Sequence, residues 1–213
     1  MKNYISINGS QILLTEEQME QLAAAVTQAS ISEDALVASG VRLADISVGG
    51  VAKIGDHEMV VLEHMDDGTT ALIRKTLLHE YMEFGENNNY GGSNVDKACC
   101  AFADELAGIV GEDNIVTHTV DLTSDDGLKD YGEVKRRASA LTADRYRRYV
   151  EILDGFPVSL WWWLATAYST KKHDDDRWVK CVAPSGIVRY GGFSYGRGVR
   201  PFCILKSDIF VSV

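Results

Sequence analysis

The groups that begin covalent, metal or proton-transfer chemistry are all present in this chain, but their spacing organises none of it. The four cysteines are Cys99, Cys100, Cys181 and Cys203. Thiolate metal sites use short-spaced pairs; the adjacent Cys99 and Cys100 do not fit, and no Cys-x-x-Cys occurs. The five histidines, His57, His64, His79, His118 and His173, include no His-x-x-x-His ligand pair. Three consecutive carboxylates, Asp174-Asp175-Asp176, suit calcium in type. Calcium takes roughly six to eight oxygens from several segments, and side chains on three adjacent residues diverge, so a solvated turn is the better reading. No P-loop or dinucleotide fingerprint occurs, and no hydrolase nucleophile elbow is expected. The expectation is a protein that is not an enzyme and that carries neither metal nor cofactor.

What remains is the chemistry of recognition. From Ser185 to Gly198 the chain runs Ser-Gly-Ile-Val-Arg-Tyr-Gly-Gly-Phe-Ser-Tyr-Gly-Arg-Gly. Tyrosine gives large contact area at low entropy cost, and serine and glycine give adaptable geometry. A regular buried strand is poorly favoured among so many glycines. Arg189, Tyr190, Phe193, Ser194, Tyr195 and Arg197 are therefore assigned to a ligand-binding face, with Tyr168, His173 and Arg177 joining from a neighbouring loop. Apolar anchors flank the segment: Trp161-Trp162-Trp163-Leu164 before it and Gly198-Val199-Arg200-Pro201-Phe202-Cys203 after it. Side chains alternate along a strand, so either Trp162 alone or Trp161 with Trp163 should be buried. Core packing is the expected role of most of these rings, and an outward one offers a stacking platform. Arg200, held before a proline, is expected to satisfy several buried carbonyls or a carboxylate, with Asp121 a candidate partner.

Composition narrows the partners. The 213 residues suit one medium domain with an appendage, and 46% hydrophobic residues can build a core. The net charge of -10 argues against broad nucleic-acid binding. Charge is uneven: Lys171 to Lys206 holds eight basic residues and three acidic ones. Internal complementarity explains this more simply than an anionic partner does. No apolar run is long enough to insert in a membrane, and the start, Met1-Lys2-Asn3-Tyr4-Ile5, lacks a signal-peptide core. Cytoplasmic synthesis, with reduced and buried thiols, is expected.

The elements that position these residues read as follows. Tyr4–Ile7 and Gln11–Leu14 flank Asn8-Gly9 as a hairpin, and Thr15 with Gln18 forms a capping box for a helix carrying Met19, Leu22, Ala23 and Val26. Ser30 to Gly50 reads as a linker with some helix, so the domains are placed at 1–50 and 51–213. His57–His64 and Thr69–Arg74 form a hairpin about Asp66-Asp67-Gly68. Ser93 caps a helix with Val95, Cys99, Phe102, Leu106, Ile109 and Val110 on one face, ended by Gly111. Ile115–Leu122 is extended and Ser124-Asp125-Asp126-Gly127 is a turn. A second helix starts at Thr142, with Tyr146, Tyr149, Val150 and Leu153 inward and Arg145, Arg147 and Arg148 outward. Strands, helix, helix, strands is the order of an α+β fold.

In combination these motifs resemble a known family. Trp162-Trp163-Leu164-Ala165-Thr166, Trp178-Val179, Gly186 and Gly198-Val199-Arg200-Pro201 match domains of phages, prophages and gut Firmicutes marked by Trp-Trp-Leu-Arg-Ser-Pro and Gly-Val-Arg-Pro. Ile54-Gly55-Asp56, Leu72-Ile73, Phe84-Gly85-Glu86-Asn87-Asn88, Asp121-Leu122-Thr123 and Leu141-Thr142 match too. The sequence departs at Ala165-Thr166-Ala167, where Arg-Ser-Pro is usual. The resemblance, over residues 51–213, implies a C-type-lectin-like fold: two helices on antiparallel sheets, the first and last strands paired, long loops displaying a ligand site. It also implies kinship with formylglycine-generating enzymes and with the variable proteins of diversity-generating retroelements, phage receptor-binding tail proteins among them. The expected function is a non-enzymatic, virion-associated binder of a cell-surface protein or glycan. Residues 1–50, as a hairpin-helix appendage, would serve attachment or homo-oligomerisation. The alternatives are a formylglycine-type oxidising enzyme built on Cys181 and Cys203, or a structural virion component.

Overall fold

The structure is a computed structural model that describes residues 4–7, 10–13, 15–18, 20, 21, 24 and 40–213. It divides into two compact units, Met1–Gly40 and Val41–Val213. In the first, β1 (Tyr4–Ile7) and β2 (Ser10–Leu13) form an antiparallel hairpin. The expected capping box is made: Gln18 N donates to Thr15 Oγ1 at 3.3 Å and Thr15 N to Gln18 Oε1 at 3.0 Å. Residues 16–18, 20, 21 and 24 are helical. The turn at Asn8-Gly9, the stripe Met19, Leu22, Ala23 and Val26, and the linker read over 30–39 lie outside the described residues.

The second unit starts at Val41, not at Val51. Two pieces of the expected linker belong to it. β3 (Val41–Arg42) pairs antiparallel with the last strand, β17 (Phe210–Val211), and the 3-10 turn Leu43–Asp45 buries Leu43 completely. A two-residue strand is specified by a partner at the far end of the chain rather than by its own propensity, which is why local reading misses it.

The architecture is α+β. One sheet has six strands: β4 (Val51–Ile54), β5 (His57–His64), β6 (Thr69–Arg74), β16 (Phe202–Lys206) and β11 (Ala138–Ser139) in that spatial order, with β8 (Ile115–Val116) also on β16. The other has five: β14 (Val188–Gly192), β13 (Trp178–Val182), β12 (Trp162–Ala167), β15 (Gly196–Val199) and β7 (His79–Glu83). Only the β12–β15 contact is parallel. β9 (His118–Asp121) and β10 (Glu133–Arg136) make a separate hairpin. The glycine-rich stretch supplies two short strands, although its glycines disfavour a regular buried strand.

Both expected helices are present. α1 (Asn94–Val110) is capped by the Ser93 side chain, which accepts from Asp96 N, and stops at Gly111 with φ 86°. α2 (Ala143–Leu153) is capped by Thr142, which accepts from Arg145 N. Val95, Cys99, Phe102 and Leu106 are buried as expected, while Ile109 is exposed. Arg145 departs from the outward set: it lies over the Phe202 ring at 4.9 Å and donates to Thr119 O. Arg147 and Arg148 stay exposed and pair with Asp144 and Glu63.

Three core clusters explain the long apolar runs. Met59 and Val61 join Leu43, Phe102 and Leu106 below the six-stranded sheet. Val60 and Leu62, on its other face, meet Tyr146, Tyr149, Trp162 and Leu164. Trp163, Ala165, Val179 and Cys181 join Phe84, Val95 and Cys99 on the far side of the five-stranded sheet. Both sheets are covered on both faces, so their central strands lose the alternation of a half-exposed strand. Trp162 and Trp163 are therefore both buried, at 2% and 0% exposure, one in each of two clusters, and only Trp161 faces out. The expectation of one or the other assumed a wet face that does not exist.

Candidate functional site

The expected site residues sit on β14 and β15, on the turn between them, and on the segment that joins β12 to β13. Buried Asn88 anchors that segment. Its Nδ2 donates to Ser169 O at 2.9 Å and Trp178 O at 3.1 Å, and its N to Asp176 O. Tyr131 OH closes the set by donating to Asn88 Oδ1 at 2.6 Å. Trp163 does the same for β7, donating Nε1 to Met82 O at 2.8 Å. The frame is thus held by side-chain bonds to backbone, which leaves the outer rings free of structural duties.

Strand register sends Arg189 and Tyr190 to opposite faces of the sheet. Cys181 pairs with Arg189 and Lys180 with Tyr190. Cys181 belongs to the third cluster, so Arg189 points to that side and Tyr190 to the other. The contacts form two groups that approach each other at Gly192. The Arg197 guanidinium lies 4.6 Å from the Trp161 ring centroid and 6.0 Å from that of Tyr195. The Tyr195 and Trp178 rings both come within 3.8 Å of where a Cβ on Gly192 would stand. Trp178 meets Tyr190 edge-on at 5.7 Å, and Tyr190 meets Tyr168 at 5.0 Å. Arg177 lies over Trp178 at 6.0 Å and Lys180 over Tyr168 at 5.5 Å. Lys180 is fixed from below by Asp125, at 2.7 Å. Tyr190 and Tyr195 are 52% and 54% exposed, so half of each ring is presented to solvent.

The glycines of this stretch serve close approach rather than looseness. A Cβ on Gly191 would stand 2.6 Å from Arg197 Nη2, and one on Gly196 would run into the Tyr81 ring. Tyr81, on β7, is the most exposed aromatic of the domain and covers Gly196. Nothing in its sequence neighbourhood, His79-Glu80-Tyr81-Met82-Glu83, marks it as part of this surface; the β7–β15 pairing places it there. Trp178 and Lys180 are further members that sequence reading did not assign.

Not every expected residue joins. Phe193 is half-buried against the third cluster, and its backbone ties Arg177 O to Phe84 N, so it is a strut. Ser194 is exposed in the turn beside Tyr195. His173 belongs to a different constellation: its Nδ1 lies 2.9 Å from Asp126 Oδ2, which also accepts from Ser169 Oγ at 2.6 Å, while Ser124 Oγ bonds Oδ1. Hydrogen bonds from Ser124 and Ser169 hold the Asp126 carboxyl well below the usual carboxylate range, with His173 adding to it. Arg200 is buried and donates to three carbonyls, of Arg74, Lys75 and Phe156. That is one of the two roles expected for it. The Asp121 partnership is not formed, since Asp121 bonds Thr123.

Three places hold residues of catalytic type. The string Gly192-Phe193-Ser194-Tyr195-Gly196 does read Gly-x-Ser-x-Gly, but it joins two strands, whereas a nucleophile elbow turns from strand into helix. The Asp126–His173 pair has the Asp–imidazole half of a triad, but the serine beside it, Ser169, bonds the carboxylate instead of the other ring nitrogen. The cysteine pair of an oxidising enzyme is not assembled. Cys181 and Cys203 are buried in different clusters, and burial pushes their thiols up to about 11 and about 12, away from the reactive thiolate. Among the described residues no three His, Cys, Asp or Glu side chains converge as metal ligands, and no helix is long and apolar enough to cross a membrane.

Compared with protein-family models, curated proteins and solved structures, the chain matches none of them.

Proposed function

We propose that this protein is a non-enzymatic binding protein with a C-type-lectin-like domain, and that its ligand is a protein or glycan on a cell surface. The observation that carries the reading is a pair of neighbouring ring-and-cation groups, Arg197 with Trp161 and Tyr195, and Trp178 with Tyr190 and Tyr168, that approach each other at Gly192. Exposed tyrosine and tryptophan braced by arginine is the composition of binding hot spots. Rings pre-positioned by stacking lose little freedom on contact, and a cation over a ring contributes about 0.5–1 kcal/mol at exposed sites. The pairing of β3 with β17, the first and last strands of the second unit, and two helices on mainly antiparallel sheets support the lectin-like assignment. Descent from a phage or prophage, a virion as the place of work, and diversification of the 185–198 stretch rest on the family resemblance alone and are part of this proposal.

The test is a glycan and cell-surface-protein array probed with the full chain, followed by titration of any hit against Tyr190→Ala, Tyr195→Ala and Arg197→Ala. At least two of the three should weaken binding about tenfold or more, the effect of losing one hot-spot residue. Unchanged affinity in all three variants for a confirmed hit would remove this surface from the reading.

A further inference from the structure

We propose that the cavity beside Arg200 is a binding site for a small organic carboxylate. The cavity measures about 250 Å³ and lies between α2, the loop after it and the turn at Ser185. Its lining mixes apolar side chains, Trp162, Pro157 and Val158 among them, with a larger share of polar surface, and Arg200 is the cation in it. It shares no residue with the aromatic surface and does not rest on the reading of that surface.

The argument is one of charge. Arg200 is 2% exposed. Its Nε donates to Arg74 O at 2.7 Å, and its Nη2 to Lys75 O at 3.0 Å and Phe156 O at 3.2 Å. Carbonyls satisfy hydrogens but carry no net charge, and among the described residues no carboxylate pairs with this guanidinium. Burial without a counter-ion is costly, and it pushes the group down to about 10. Among the described residues Nη1 has no protein acceptor, and unlike Arg74 Nε and Arg197 Nε it is not sealed from solvent. The neighbouring Tyr146 hydroxyl already donates to Gly186 O at 2.6 Å, so Arg200 is left as the charged donor for a ligand.

A carboxylate there would meet a charge-assisted donor in a low-dielectric site, and an apolar body would cover the Trp162 and proline walls. Asp154 also lines the cavity and is exposed, so its negative charge disfavours a bare inorganic anion, which has no apolar body to compensate.

The experiment uses the full chain with benzoate as probe, benzamide as its neutral isostere and sulfate as the inorganic control. Melting temperature and backbone NMR shifts are the readouts. Benzoate should raise the melting temperature and move the Val158, Ser185 and Gly186 resonances, with benzamide and sulfate at least tenfold weaker. Arg200→Lys removes the planar fork but also loosens three carbonyls, so the decisive variant is Ser185→Trp, on an exposed turn lining the cavity. It should leave the unliganded melting temperature in place and abolish the benzoate response. The proposal is overturned by no response to benzoate, by benzamide or sulfate matching it, or by a response that survives Ser185→Trp.

Discussion

A single guanidinium braces two of the exposed rings, Trp161 and Tyr195. Arg197 touches Trp161, Trp163 and Tyr195, and it can do so because Gly191 has no side chain in its path. The Gly191 backbone is not in the left-handed region, so alanine is compatible with its conformation. Its methyl would nevertheless stand 2.6 Å from Nη2. The guanidinium is the mobile end of a long side chain, so it moves before the backbone does. Gly191→Ala should therefore displace Arg197 from Trp161 and weaken ligand binding several-fold, with a change in stability under about 1 kcal/mol. Calorimetry beside titration of an array hit checks this. A large loss of stability would mean that the strand, not the side chain, had given way. Tyr190 and Arg197 were legible from residue type alone. Tyr81 and Trp178 were not, because what recruits them is a partner strand rather than a local pattern.

Helix α1 shows how an element is locked in place by charge. Asp96 is 2% exposed and takes a bidentate pair from Arg136, Nε to Oδ1 and Nη2 to Oδ2, both at 2.7 Å. It also accepts from Gly92 N at 2.8 Å. This one carboxylate ties the first turn of α1, the preceding loop and β10 together. A negative group in the first helical turn is also favoured by the helix dipole. Removing one partner of a buried pair leaves the other uncompensated. Asp96→Ala should thus cost about 3–5 kcal/mol, whereas Ser93→Ala, which loses only a cap, should cost about 1 kcal/mol. Urea unfolding of the two variants separates these values. The Ser93 cap, the apolar stripe and the Gly111 stop were readable from the sequence, since each lies within a turn or two of the residues it serves. The Asp96–Arg136 lock was not, because its halves are forty positions apart.

Across the whole molecule, the packing of two sheets through a shared core sets how the protein responds to acid. His118 lies in that packing, 7% exposed, edge-on to Phe202 at 5.2 Å and bonded to Ser139 at 2.9 Å. Burial, and secondarily the Arg145 charge, lower its pKa to about 3. In the unfolded chain the imidazole titrates near its ordinary value of about 6.5. Between those values the unfolded state binds a proton that the folded state refuses, so stability is full above about 6.5 and is lost as pH falls toward 3. His118→Gln cannot take up that proton. Between pH 7 and 4.5 the wild type should lose up to about 2–3 kcal/mol more than this variant, as read from urea midpoints at the two values. Equal losses would show that other groups carry the acid sensitivity.

The sequence by itself determined the α+β class, both helices with their caps and the principal hairpin. All of these are properties of residues close together along the chain, where capping, periodicity and turn chemistry act. Only the tertiary structure decided that Trp162 and Trp163 are both buried, that the domain begins at Val41, and that Arg200 is held by carbonyls without a counter-ion. It also brought the two ring-and-cation groups together at Gly192. Each of these depends on what covers a face or meets an edge, and that is fixed by residues brought together from distant parts of the chain.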